Sequence, residues 1–189
     1  MTRLDALKAI VAAFPHEPAV VTLGATAREL AAVARAENHL YVLDSMGLPP
    51  AIGLGLSLGL DDSSFAKCLV IEGDGSLLMG FSTLATIGLL RPRKLLLLVL
   101  DNGTYAATGG QPTASPAIDF CAVARGCGID AAEVEGEAAL ARELERCRAA
   151  PGPILVRVRI GPENARVPYL LEDPVILAET FRRYLAAQR

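Results

Sequence analysis

At 189 residues, 52% of them hydrophobic and 21% charged, the chain is long enough for one domain with a substantial core and too short for two ordinary ones. Its net charge of −3 gives no general attraction to nucleic acid. The four cysteines, Cys68, Cys121, Cys127 and Cys147, form no C-x-x-C pair, and only two histidines exist to join them, which argues against a zinc site and for a reduced, cytoplasmic setting.

In chain order, MTRLDALKAI at 1–10 starts a helix and has no long apolar run of the kind a signal peptide needs. Strands are predicted where Val, Ile and Leu cluster: AVVTL (19–23), LYVL (40–43), CLVI (68–71), LLLLVL (95–100) and ILVRVRI (154–160). The first four are nearly unbroken in hydrophobicity, as expected of parallel strands covered on both faces. The fifth alternates, with Arg157 and Arg159 on one side, and is expected at a sheet edge. Helical segments are predicted at about 26–37, 49–60, 77–90, 116–126, 137–149 and 174–187. Strands alternating with helices give a single-domain, doubly wound parallel α/β sheet over 1–189. LLLLVL is far too short to cross a bilayer, so no membrane association is expected. The long irregular stretches fall at about 101–115 and 161–173, and long loops in compact domains are more often functional than idle.

Ligands of such sheets bind at the carboxyl ends of the strands. Four of those ends carry small or polar turns: LGAT (23–26), LDSMG (43–47), EGDGS (72–76) and LDNGTYAATGGQ (100–111). Together they suggest a floor of exposed amides beneath a phosphate-bearing ligand. Asp74 lies just past one strand and Asn102 just past another, with 26 residues between Gly75 and Asn102. That gap fits one helix and one strand. A right-handed crossover then makes the two strands parallel and brings both loops out on the same edge. A carboxylate and an amide oxygen that converge there are hard donors suited to Mg²⁺ or Ca²⁺. Ser76 is placed to cap the following helix or to bond a phosphate oxygen.

GDG followed at this distance by Asn resembles the cofactor motif of thiamin diphosphate enzymes. SMGLPPAIGLGLSL (45–58) resembles a segment of thiamin-dependent decarboxylases and acetolactate synthases. LDNGTYAATGGQPT (100–113) and GATAREL (24–30) are similar to loops of phosphonopyruvate and sulfopyruvate decarboxylases. The likeness runs from about Val20 to Thr113. It departs at Asp101, where many relatives carry a first Asn. The resemblance implies that Asp74 and Asn102 bind Mg²⁺ through their side chains and Thr104 through its carbonyl oxygen. It also implies that Gly73, Gly75 and Ser76 meet the diphosphate of thiamin diphosphate. Met46 would be the bulky side chain that bends the cofactor, with the backbone at Ser45 and Gly47 near its aminopyrimidine. Tyr105, in a loop spanning 103–111, would cover the site.

The reaction so implied is decarboxylation of a small 2-oxo acid, of the sulfopyruvate or phosphonopyruvate type. The family's activating Glu comes from a pyrimidine-binding domain, for which this sequence has no counterpart. The implied assembly is therefore a hetero-oligomer with a pyrimidine-binding α subunit, with self-association of the isolated chain as the other outcome. The alternatives are a non-catalytic module that retains the diphosphate site and a carboligase subunit of the acetolactate synthase type. Outside the motifs, bland readings are favoured. His16 and His39 are expected at the surface or in loops rather than in catalysis, Arg28 as a solvated helix residue with contact to an anionic substrate group as the other reading, and the cysteines as core. The glycines at 53, 55 and 59 do not fit G-x-G-x-x-G and let a helix pack closely.

Overall fold

The computed structural model describes residues 1–188. The chain opens with α1 (Arg3–Ala13), whose Thr2 and Asp5 form a reciprocal capping box. Then follow β1 (Ala19–Val21), α2 (Ala25–Val33), β2 (His39–Tyr41), α3 (Pro49–Gly59) and β3 (Cys68–Gly73). The predicted 77–90 helix is two helices, α4 (Asp74–Met79) and α5 (Thr83–Leu90), broken at Gly80. After β4 (Leu95–Asp101), the irregular stretch holds a small antiparallel pair, β5 (Thr104–Tyr105) and β6 (Gln111–Pro112). The predicted 116–126 helix divides into a 3-10 turn (Ser115–Ala117) and α6 (Phe120–Gly126). The chain then runs through β7 (Asp130–Glu135), α7 (Glu137–Ala149), β8 (Ile154–Arg159) and α8 (Pro174–Ala187).

Six strands form a parallel sheet in the order β2-β1-β3-β4-β8-β7. The runs of Val and Leu are buried on both faces. In β4, Leu96, Leu98 and Leu100 join the core shared with α1, α2, α7 and α8, while Leu95, Leu97 and Val99 join the core shared with α3 to α6. This is the doubly wound architecture expected from the sequence.

Two expectations about strands are corrected. β8 is not an edge: it lies between β4 and β7, and β7 forms that edge. Arg157 and Arg159 sit at the carboxyl end of β8, where they are held by an acid on the neighbouring strand rather than by solvent. β7 reads DAAEVE, with half-exposed and exposed positions, so it lacks the apolar run by which its neighbours were found. The glycines of α3 also divide. A Cβ on Gly53 would lie 2.1 Å from Val70 Cγ2, so that glycine does permit close packing, but nothing lies within 4 Å of a Cβ on Gly55 or Gly59.

The chain leaves β1 toward β2 on one side and returns to place β3 on the other. The crevice of such a sheet opens at that reversal, outside the carboxyl ends of the two diverging strands. Those ends are Thr22–Gly24 and Gly73–Asp74.

Candidate thiamin diphosphate and metal site

A cleft of about 170 Å³ opens at this reversal. Gly73, Asp74, Gly75 and Ser76 line it from the end of β3, and Asn102, Thr104 and Tyr105 from the segment after β4. Met46 closes it from the turn before α3. Eight of the ten expected site residues thus converge. The other two, Ser45 and Gly47, are not on the cleft wall. Gly47 is buried behind it with φ of 79°, and a Cβ on Gly80 would lie 2.0 Å from the Gly47 carbonyl oxygen. The two glycines therefore let the turn carrying Met46 rest directly on the α4–α5 break.

Asp74 begins α4 and is almost wholly buried; its Oδ2 accepts a hydrogen bond from Thr113 Oγ1 at 2.5 Å. Burial pushes its pKa up, the Thr113 hydroxyl opposes that shift, and the nearby Asp101 charge adds to it. A cation at Asp74 would relieve the same penalty. Asn102 Oδ1 accepts from the Thr104 amide at 3.1 Å, so the segment turns back sharply after β4. Thr104 stands opposite Pro112, which has no N–H to give, so that partner leaves the Thr104 carbonyl without a ladder donor. One carboxylate, one amide oxygen and one carbonyl make a hard oxygen set. It is too small to enclose a cation alone and suits Mg²⁺ that completes its shell with phosphate and water.

Two helix starts on the cleft wall carry amides of the kind that suit a phosphate. Gly24 precedes α2 with φ of 74°, and Gly73 precedes α4; neither helix start has a capping side chain. Gly75 has no room for a side chain, since a Cβ there would meet Tyr105 Cε1 at 2.4 Å. The Ser76 hydroxyl turns inward, accepting from the Gly47 amide at 3.0 Å and from Thr22 Oγ1 at 3.1 Å. Below it Glu72 is fully buried. Burial pushes its carboxyl up to about 7, offset in part by the Thr22 and Ser76 hydroxyls and by the Gly73 amide, which donates to Oε1 at 2.9 Å. The Ser76 side chain is thus engaged in the floor of the cleft, and of its polar groups the backbone amide is the one left for a ligand.

Arg3 and Thr22 line the cleft without a place in the sequence-derived site, while Ala106, Ala107 and Thr108 belong to the loop expected to cover it. Thr113, which positions Asp74, was quoted within its loop but given no role. Arg28, offered for an anionic group, stacks its guanidinium 4.7 Å from the Tyr169 ring centre and is not part of the cleft wall. Among the described residues no group of three or more His, Cys, Asp or Glu side chains is placed to hold a metal. No helix among them is long and apolar enough to cross a membrane.

Known proteins resemble the chain in both sequence and fold. Residues 22–158 match the family described as thiamine pyrophosphate enzyme, C-terminal TPP binding domain. The chain is 34% identical over 181 residues to the sulfopyruvate decarboxylase subunit beta of Methanococcus maripaludis, covering 96% of each chain. It is 38% identical over 187 residues to the phosphonopyruvate decarboxylase of Streptomyces viridochromogenes, covering 98% of this chain and 46% of that enzyme. The fold superposes with a TM-score of 0.72 on the benzoylformate decarboxylase of Polynucleobacter necessarius, at 18% identity, over 85% of this chain and 33% of that one. The chain belongs to the thiamine pyrophosphate enzymes, as a C-terminal TPP binding domain.

Proposed function

We propose that the chain is the diphosphate-binding subunit of a thiamin diphosphate- and Mg²⁺-dependent 2-oxo acid decarboxylase of the sulfopyruvate or phosphonopyruvate type. The observation that carries this reading is the convergence of Asp74, Asn102 and Thr104 at one strand-end cleft, with Met46 on its wall. Asp74 and Asn102 would hold Mg²⁺ through side-chain oxygens, and Thr104 through its carbonyl. The amides at the starts of α2 and α4 would take phosphate oxygens. When bound, thiamin diphosphate supplies the electron sink for loss of CO₂ from a 2-oxo acid. Met46 would set the angle between its two rings. The segment 103–111, tied down through Thr113, would shield the diphosphate from water.

The partner in this proposal is a pyrimidine-binding chain that brings the activating carboxylate. Relatives named as beta subunits support a partner subunit. Leu48 and Met79 lie beside the Met46 turn, 49% and 65% exposed, and offer apolar surface for such a chain. The test is reconstitution with a pyrimidine-binding chain and measurement of CO₂ release from 3-sulfopyruvate, 3-phosphonopyruvate, pyruvate and benzoylformate. Turnover of one of the first two, only when both chains are present, is the expected result. Turnover by this chain alone, or none in the complex, would sink the proposal.

A further inference from the structure

Arg3 is the only basic side chain among the described residues that line the cleft, and it is only 4% exposed. Its Nη1 is committed on both sides, to Glu29 Oε1 at 2.9 Å and to Asn164 Oδ1 at 2.8 Å. Both partners are themselves anchored. Glu29 Oε1 also accepts from the Ala165 amide at 3.0 Å, and Asn164 Nδ2 donates to the Ala106 carbonyl at 3.3 Å. The guanidinium is thus fixed between the first turns of α2 and the loop that covers the cleft. Among the described residues no acceptor takes Nε or Nη2, and neither atom is sealed off without a partner inside the protein. Both atoms therefore keep free donors, on a side chain that lines the cleft.

A buried guanidinium held by one nitrogen, with its other edge open, is an arrangement for receiving an oxyanion through paired hydrogen bonds. Its position in the fold says which part of a ligand it meets. Arg3 enters from the layer of α1 and α2, against one face of the sheet, whereas Met46 enters from the layer of α3 and α4 on the other. The two thus come to the cleft from elements on opposite faces of the sheet. Through its bond to Glu29, Arg3 is tied to α2, whose uncapped start lines the cleft. Resting on the diphosphate-site reading above, we propose that Arg3 binds the terminal phosphate of the cofactor through Nε and Nη2, with Glu29 and Asn164 as the residues that position it.

Calorimetric titration of the full chain with thiamin diphosphate and with thiamin monophosphate, each in Mg²⁺, tests this. Loss of Arg3 should be felt only by the ligand that has the terminal phosphate. Arg3→Gln is expected to weaken thiamin diphosphate roughly 10- to 100-fold, the range for a hydrogen bond to a charged group, and to leave the monophosphate nearly unchanged. Arg3→Lys keeps the cation without the fork and should fall between; it answers the same question if Arg3→Gln does not fold. Glu29→Gln removes the buried anion but leaves Arg3, so it should lower the melting temperature while preserving preference for the diphosphate. Equal weakening of both ligands by Arg3 substitution would mean a structural role only and overturns the assignment. So does undiminished diphosphate binding by the variant. If the wild-type chain binds neither ligand, the cofactor-site reading fails first and the Arg3 assignment with it.

Discussion

Thr113 Oγ1 donates to Asp74 Oδ2 across 39 residues of chain, joining the far end of the cleft loop to the first turn of α4. The same threonine gives its amide to the Gly103 carbonyl at 2.9 Å. One residue thus aims the candidate metal carboxylate and closes the base of the loop that carries Asn102 and Thr104. Without metal, a buried carboxylate at this place would repel a diphosphate. Asp74→Ala is therefore expected to abolish Mg²⁺-dependent binding of thiamin diphosphate while the melting temperature stays within a few degrees, since the lost hydrogen bond is offset by removing a desolvated charge. Thr113→Val should weaken binding less, by misaiming Asp74 rather than removing it. Calorimetry and thermal melts on the same samples decide it, and undiminished binding by Asp74→Ala would remove the residue from the site.

The contact between Gly47 and Gly80 makes a second prediction, on stability. A methyl group on Gly80 would sit 2.0 Å from backbone, which cannot yield as a flexible side chain would. Gly80→Ala should cost about 1–3 kcal/mol by overpacking. Gly55 is exposed in α3 with open space around it, so Gly55→Ala should stabilise by about 0.4–1 kcal/mol. Denaturant midpoints that move in the same direction for both variants would contradict this account of the two glycines.

His39, expected at the surface or in a loop, is instead buried in β2, and it supplies a pH dependence. Burial is the main cause that lowers its pKa to about 4, with the Arg35 charge acting the same way and a backbone hydrogen bond at Ala34 opposing. Its ordinary value is 6.5, so in this window the unfolded chain binds the proton more readily than the folded one. The contribution of neutral His39 to stability is therefore full above about pH 6.5 and is lost as pH falls toward 4, by at most on the order of 3 kcal/mol. His39→Gln removes the titration. Denaturant unfolding at pH 7, 6 and 5 should show the wild type losing more stability than the variant as pH falls; parallel losses would exclude His39 as a source.

How much of this was legible in the sequence follows from what each residue depends on. The roles proposed for Asp74, Asn102 and Met46 are exercised from strand ends, and the alternation of strands and helices already places strand ends on one edge. β7 was invisible because an edge strand with polar positions has no continuous apolar run. The β8 arginines misled for a related reason. Asp101 Oδ2 accepts from Arg157 Nε at 2.7 Å, from Arg159 Nη1 at 2.9 Å and from Ser115 Oγ at 2.5 Å, and Arg157 Nη1 lies 3.1 Å from Glu133 Oε2. Burial alone would raise the Asp101 pKa; the Ser115 hydroxyl and the two arginines outweigh it and hold the carboxyl below the usual range. Alternating Arg on a strand reads as solvent exposure unless the acid that neutralises it is known, and that acid is 56 residues away from Arg157. Arg3 and Asn164 were hidden in the same way, since 161 residues separate them and neither lies in a motif.

Met46 is the residue whose proposed role is most easily confused with ordinary packing. It is half-buried and lines the cleft, and its turn is held from behind by the Gly47 amide on Ser76 Oγ and by the Gly47–Gly80 contact. The backbone there is fixed without help from the Met46 side chain. Truncating that side chain should therefore leave the fold largely as it is, and Met46→Ala should melt within a few degrees of wild type. A buried core methionine would instead lose about 2–5 kcal/mol on the same change. The effect should fall on turnover. If Met46 supports the bend between the cofactor rings, the Ala variant holds the reacting atoms poorly, and kcat of the reconstituted complex should drop by roughly 100-fold. Affinity for thiamin diphosphate should change far less, because Asp74, Asn102 and the helix-start amides anchor the other end. Met46→Leu keeps the bulk and should keep turnover within a few-fold, since volume rather than sulfur chemistry is required. A loss confined to kcat and rescued by Leu is the pattern of a group that only orients the reacting atoms. A destabilised Met46→Ala complex with normal kcat would return Met46 to the core.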